Sequence, residues 1–412
     1  MKRVGVVGGG VIGLTTAYYL EKRGALPIIF EASDVGAGCS AGNAGWVCPS
    51  ISTPLAKPGL DLGNLAKMMR PGGPLYIKPS ASLSLRPWLA RFKAHCTQAN
   101  YDRGVQALAA LNAETKTRYA ELLADDVDVH YAEQGLLMAF RDPELMAEAL
   151  KGVEAAAALG RADFDVLERE ELRSREPLLR STFTSGIFVT TDAHVRAETL
   201  TRGLVEALRQ RNVEIREQDP VTGFEWNGDR VQSVVTNKSK VLVDDVVLAA
   251  GAETGPLAAA AGLSLPLTAG KGYSVTIDAP KGMPKQPLYL VESKVAITPF
   301  EGSLRLSGGM EFSGINRQVR ARGLKAIRRA AHRDLDLPEA LEEGTEWVGM
   351  RPIVPDTLPV IGQVPGRGNV YLSSGHQMLG ITLAPSSGDA LSQLIVEGQS
   401  SIDLTPFSPA RF

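Results

Sequence analysis

Long apolar runs are missing from this chain of 412 residues, and none reaches the length of a membrane-spanning helix. Cysteine is scarce: Cys39, Cys48 and Cys96 form no CxxC and cannot all pair, which excludes a disulfide scaffold and suits a reducing compartment. Neither sign of charge dominates, and a net charge of −2 gives no general attraction to nucleic acid. Among the histidines, His95, His130, His194 and His332 lack metal-ligand spacing with one another, so no metal is expected. There is no internal repeat and no low-complexity segment. A charged-then-apolar N-terminus could suggest a leader, but its residues are already used as a strand and a turn, so a cytoplasmic location is expected. The chain is too long for one ordinary core, and two domains are expected.

What is present begins at Val4. Val4-Gly5-Val6-Val7 reads as a buried parallel strand, and Gly8-Gly9-Gly10-Val11-Ile12-Gly13 as a glycine turn opening a helix that stops at Gly24. Pro27-Ile28-Ile29-Phe30 is a second strand tipped by Glu31. Each glycine has a reason that a dinucleotide supplies. Gly8 permits the turn, Gly10 lets the backbone approach a pyrophosphate, and Gly13 lets the helix pack closely. Glu31 stands where a carboxylate can accept the hydroxyls of an adenosine ribose. Alone, the stretch leaves NAD and FAD open. Gly36-Ala37-Gly38-Cys39-Ser40-Ala41-Gly42-Asn43-Ala44-Gly45-Trp46 follows closely, and a loop of such small residues leaves room for a flat ring against the backbone, which favours FAD.

From Ile51 to Asn100, seven basic residues (Lys57, Lys67, Arg70, Lys78, Arg86, Arg91, Lys93) stand against Asp61 alone. Trp88 and Phe92 lie among them, so Lys57 to Lys93 could contact an anionic membrane or form a solvated face over an apolar lining of the site. Pro87 should limit any continuous helix there. Beyond it, Asn100 to Leu123 has helical spacing, Asp142-Pro143-Glu144 opens a helix closed by Gly160, and Gly186 to Val189 is a strand. An amphipathic helix runs from Ala197 to about Arg211. Asn227-Gly228 reads as a hairpin turn with two positive φ values. Val241 to Gly251 reads as one buried strand. Strands around Tyr273, Val295 and Leu304 suggest a half-buried antiparallel sheet roofing a pocket, from which Lys271 and Tyr273 could face a substrate. Near the C-terminus, Gly375-His376-Gln377-Met378-Leu379-Gly380 opens a helix whose N-terminus would favour negative charge on a reduced ring.

These motifs, with Val246-Val247-Leu248-Ala249-Ala250-Gly251, Gly270-Lys271-Gly272-Tyr273-Ser274, Gly308-Gly309-Met310-Glu311 and Gly349-Met350-Arg351-Pro352, resemble the D-amino-acid oxidase superfamily of flavoproteins. Within it they are most similar to the D-amino-acid dehydrogenase branch, related to glycine oxidases and hydroxyproline dehydrogenases. The resemblance implies an α/β fold: a Rossmann-like FAD-binding domain (residues 1–50, 190–265 and 346–412) and a substrate domain (51–189 and 266–345) on a mixed, mostly antiparallel sheet with helices. It implies non-covalent FAD, with Val11 and Ile12 at the pyrophosphate and Glu31 and Ala32 at the ribose. Cys39, Ser40, Ala44, Gly45 and Trp46 would lie near the ring and Val221 at the adenine. Gly251, Gly375, His376, Gln377, Met378, Leu379, Gly380, Ile381 and Thr382 would lie along the flavin. Arg351 would bind a substrate carboxylate, and His376 would mainly position the ring. The implied activity is oxidative deamination of D-amino acids or a related secondary amino acid by hydride transfer to flavin N5, with glycine, sarcosine or D-hydroxyproline oxidation as the alternative and a non-catalytic flavin subunit of a complex as a further reading. Electrons would leave to oxygen or to a quinone or partner protein. Met378 and Ala296 depart from the glycine oxidase pattern, which has arginine and tyrosine there, and imply a wider pocket.

Overall fold

The computed structural model describes residues 1–59, 69, 73, 75–79, 82–337, 341 and 343–412. Lys67 and Arg70 of the basic segment lie outside them. Among the described residues a six-stranded sheet has the order Glu214–Arg216, Leu26–Phe30, Arg3–Val7, Asp245–Leu248, Val370–Ser374, Val360–Gln363. All its neighbours are parallel except the last pair. Arg3–Val7 is therefore central, with later strands added on both sides of it, and a crevice opens at its carboxyl end. Its Val4 and Val6 are fully buried, as a strand covered on both faces requires.

One face of this sheet carries the first helix (Val11–Lys22), the helix Ala197–Gln210 and the last helix (Gly380–Glu397). The first and last helices run side by side in close contact. A Cβ on Gly388 would meet the Thr15 carbonyl carbon at 2.7 Å, and Thr15 Oγ1 donates to the Ala384 carbonyl at 2.9 Å. Thr15 and Ala384 each lie one turn into their helix, so both N-termini reach the same end of the molecule. The other face is covered by a three-stranded meander and a short helix, Thr254–Ala260.

The larger, nine-stranded sheet is mostly antiparallel. Its long strand Thr268–Asp278 lies between Ser303–Phe312 and Thr345–Ile353. That pairing puts residues 345–353 on the nine-stranded sheet, although the expected division gave 346 onward to the FAD-binding domain. Packing moves another stretch the opposite way. The helices Gln98–Ala113 and Thr115–Ala124 bury Leu108, Leu111, Tyr119 and Leu122 in the core that holds the first and last helices.

Other expectations are corrected locally. Helical spacing from Asn100 to Leu123 covers two helices broken at Glu114. Val241 to Gly251 is two strands in different sheets, parted at Val243-Asp244. At the hairpin, Asn227 pairs with Arg230 as the last strand pair, so the two-residue turn is Gly228-Asp229, with φ +61° at Gly228 and no positive φ at Asn227. Helix Ser82–His95 continues through Pro87. Burial of Leu85 and Trp88 against Ile353 outweighs the lost hydrogen bond. Trp88 and Phe92 stack on each other and turn inward, so the aromatic half of the membrane reading is not on the surface. No helix among the described residues is long and apolar enough to cross a membrane.

Candidate active site

The glycine turn is built by contact. Gly8 has φ +117°, and a Cβ there would stand 2.5 Å from the Ala249 carbonyl oxygen. A Cβ on Gly13 would stand 1.9 Å from the Gly8 oxygen, so the helix can start where it does only with glycine. Gly10 differs: the one neighbour of its missing Cβ within 4 Å is Ser40 Oγ at 3.5 Å, which leaves space for a phosphate. The first turn of this helix has no acidic residue, and Val11 N–H donates to Ser40 Oγ at 3.0 Å.

Glu31 is held at both oxygens. Oε2 accepts from Gly9 N–H at 2.8 Å, while Oε1 accepts from Ser33 N–H at 2.8 Å and Ser33 Oγ at 2.9 Å. The chain then comes back past it, with Asp219 N–H donating to the Glu31 carbonyl at 2.9 Å. Val221 follows two residues after this contact, and Ala32 is exposed.

Part of the second glycine loop serves the protein itself. Cβ atoms on Gly42 and Gly45 would collide with the Trp347 ring at 2.4 Å and the Val195 oxygen at 2.0 Å. The room expected there is filled because the loop is tied down on the nine-stranded sheet. Ser274 Oγ donates to Gly42 O at 2.8 Å, Thr298 Oγ1 donates to Ala44 O at 2.8 Å, and Trp46 Nε1 donates to Thr298 Oγ1 at 2.9 Å. Thr382 Oγ1 in turn donates to Trp46 O at 3.0 Å, tying the loop to the last helix.

At that helix start, His376 and Gln377 are 2% and 4% exposed. His376 Nε2 shares a 3.0 Å hydrogen bond with Ser387, and burial lowers its pKa to about 3, so the imidazole is neutral. Gln377 adopts φ +45°, donates its N–H to Pro352 O at 2.9 Å and its Nε2 to Thr357 O at 2.7 Å. His376 Nδ1 and Gln377 Oε1 are buried with no protein partner. Met378 is 46% exposed, and Gly251 has open space beside it. Two helix N-termini, the space at Gly10 and two unanswered buried polar atoms fit FAD, a long ligand with a pyrophosphate and a hydrogen-bonding ring.

Arg351 lies beside this assembly. Its Nη1 donates to Gly309 O at 2.7 Å, and it has no carboxylate partner among the described residues. Burial lowers its pKa from the ordinary arginine value, but a guanidinium stays charged. The neighbouring Cys39 thiol is pushed up to about 11 by burial, with Arg351 pulling the other way. Cys39 thus adjoins Arg351 while the next residue, Ser40, holds the first helix.

Lys271 and Tyr273 do not join them. Successive strand residues face opposite sides of a sheet. Gly272 lies under the Arg351 guanidinium, so Lys271 and Tyr273 point to the far side. There Tyr273 donates to Glu311 Oε2 at 2.7 Å, and Lys271 bonds Asn316 and the Gln318 carbonyl. Sequence reasoning missed Met310 and Trp347 beside Arg351. The alternation Gly270, Gly272, Ser274 against Lys271, Tyr273, Val275 was the available signal for the open face.

A model of the FAD dependent oxidoreductase family matches residues 3–394. A D-amino acid dehydrogenase of Methylobacterium sp. is 31% identical over 418 residues, covering 100% of this chain and 99% of the relative. Another, from Helicobacter pylori, is 27% identical over 411 residues, covering 99% and 98%. The crystal structure of glycine oxidase from Geobacillus kaustophilus superposes with a TM-score of 0.73 at 25% identity, over 100% of both chains.

Proposed function

The chain belongs to the family of FAD dependent oxidoreductases, and from that premise we propose that it oxidises D-amino acids to their imines, which water hydrolyses to 2-oxo acids and ammonia. The observation that carries the reading is Arg351, a partly buried guanidinium whose side chain bonds the Gly309 carbonyl and has no carboxylate partner among the described residues. Its planar fork suits a substrate carboxylate, whose two oxygens can take parallel donors. Bound FAD supplies the acceptor for two electrons and the α-hydrogen, taken together as hydride at N5. The substrate amine must be neutral for this: loss of hydride from the α-carbon leaves an iminium, which sheds one N–H proton to give the imine, and water then replaces the nitrogen and releases it as ammonia.

In this reading Arg351 anchors the substrate, and the loop Cys39 to Trp46 with His376 to Thr382 holds the ring in line with the α-carbon. Glu31 and the turn Gly8 to Gly13 hold the adenosine end. Neutral His376 positions the last helix through Ser387 rather than moving protons. The two-domain division at residues 50, 190, 265 and 346 belongs to this proposal too, with 345–353 and 98–124 exchanged between the parts on the packing described above.

Electrons then pass to oxygen or to a quinone or partner protein. The surface for an anionic membrane would be the outer side of Ser82–His95, where Arg86, Arg91 and Lys93 are exposed. Co-sedimentation with anionic liposomes at low salt tests that contact, and its absence would favour a soluble acceptor. The main test is anaerobic flavin bleaching by a panel of D-amino acids, glycine, sarcosine and hydroxyproline isomers. Bleaching by D-amino acids supports the reading, whereas bleaching by none of the panel would remove it.

A further inference from the structure

Between Phe312 and Asp334 the chain carries seven basic residues and no acidic one, in a protein whose net charge is −2. Most of that stretch is the helix Ala321–Asp334, which covers the face of the nine-stranded sheet opposite Arg351. A Cβ on Gly323 would stand 2.6 Å from the Tyr273 ring, so the helix begins directly on that side chain. Leu324, Ile327 and Ala331 are buried against the sheet. Arg322, Ala326, Arg329, Ala330 and Arg333 form the neighbouring stripe at helical spacing. They line a cavity of about 620 Å³ whose opposite wall includes Tyr76, Tyr273 and Glu311.

The charges of this cavity do not balance from within. Glu311 Oε1 lies 3.1 Å from Arg320 Nε and 3.7 Å from Lys271 Nζ, and Glu292 is answered by Arg141. Arg333 bonds Asp334 and Ser293. Arg322 and Arg329 have no carboxylate partner among the described residues. Arg322 stands 4.9 Å from the centroid of the Tyr76 ring, and Arg329 Nε donates only to the Lys325 carbonyl, at 3.2 Å.

We propose that this cavity binds a small organic polyanion, bearing carboxylate or phosphate groups, on the face of the sheet away from Arg351. The site stands whether or not Arg351 anchors a substrate. Arg322 and Arg329 are about two helical turns apart, roughly 10 Å, which suits a ligand with acidic groups at two separate points. Each guanidinium presents a fork to two oxygens of a carboxylate or phosphate. Between them the short side chains of Ala326 and Ala330 leave room for the body of the ligand. A basic helix that is merely solvated needs no recess behind its arginines, and here the unanswered charge and the recess coincide.

Equilibrium dialysis of the holoenzyme against citrate and, separately, inorganic pyrophosphate at physiological ionic strength tests this. One of them should bind saturably at one per chain, and which one does so identifies the recognised group. Arg322→Gln and Arg329→Gln should each weaken that binding about tenfold or more, the effect of losing a charge-assisted contact. Both residues are exposed, so both variants should fold, and KM for the amino acid should stay at its wild-type value. Arg351→Gln should bind the probe as wild type does; binding lost in that variant would put the anion on the substrate side and overturn the proposal. Unsaturable uptake of both probes, or binding unchanged in both Arg322→Gln and Arg329→Gln, overturns it too. So does attachment to anionic vesicles through these arginines with neither free anion bound, which would make this face a membrane surface.

Discussion

The guanidinium of Arg351 rests on the bare backbone of Gly272: a Cβ built there would stand 2.1 Å from Nη2 and 2.3 Å from Cζ. The same arginine is fixed from the neighbouring strand by Gly309 O, so its direction is set by two backbones rather than by an acidic side chain. Gly272→Ala should push the guanidinium off this position. KM for the amino acid is expected to rise about tenfold, a loss of about 1.4 kcal/mol, with flavin still bound. Steady-state kinetics and the flavin absorbance of the purified variant check this together, and an unchanged KM would mean the position of the guanidinium does not matter.

Glu31 is already engaged by Gly9 and Ser33, which orients its carboxylate before any ligand arrives. Glu31→Ala should weaken FAD binding by about tenfold or more, since a hydrogen bond to a charged group contributes about 1.5–3 kcal/mol. The order in which amino acids reduce the flavin should not change. Fluorescence titration of the apoprotein with FAD measures the first effect, and a changed substrate order would contradict the assignment to the adenosine end.

Tyr273 is 2% exposed and donates to Glu311 on the far side of the sheet from Arg351. Tyr273→Phe should therefore cost stability, about 1–3 kcal/mol for an unanswered buried acceptor, while KM stays near the wild-type value. Chemical denaturation of the holoprotein and kinetics separate these outcomes. A large KM change without a stability loss would return Tyr273 to the substrate side.

Asp192 is fully buried, accepts from Ser50 Oγ, and is pushed up to about 7 by burial against the opposing effect of that hydrogen bond. In the unfolded chain it titrates near about 3.9. The native state therefore keeps a proton that the unfolded state releases, and the stability contributed by Asp192 falls as pH rises between about 4 and 7. Asparagine cannot titrate. Asp192→Asn should thus raise Tm relative to wild type by more at pH 8 than at pH 5, read by thermal unfolding of the holoprotein. Equal shifts at both pH values would contradict the raised pKa.

The first strand, glycine turn and helix were legible because their determinants are local. A turn that needs Gly8 and Gly13, a helix ending at Gly24 and an acid at Glu31 lie within one short stretch. Arg351 was singled out through resemblance of its motif and not through physics, since nothing near it in sequence says that Gly272 and Gly309 will meet it. The facing of Lys271 and Tyr273 was not legible for the same reason. Which side of a strand is open depends on its pairing with Thr345–Ile353 and on the bulge at Gly309-Met310, both remote in sequence. Apolar spacing from Asn100 to Leu123 announced helices, but spacing carries no information about which of two cores they join. The small residues Gly42 and Gly45 were read as space for a ligand, and Trp347 and Val195 occupy it instead.

The most direct test of the account is anaerobic titration of wild type and Arg351→Gln with a D-amino acid that reduces the flavin and with its carboxamide. The account predicts that wild type is half-saturated by the acid at a concentration about ten- to a hundredfold below that needed for the amide, as expected for a charge-assisted contact. In Arg351→Gln, with flavin content unchanged, that preference should vanish because the acid weakens to the level of the amide. An acid that half-saturates the variant as readily as wild type would contradict the placement of the substrate carboxylate on Arg351.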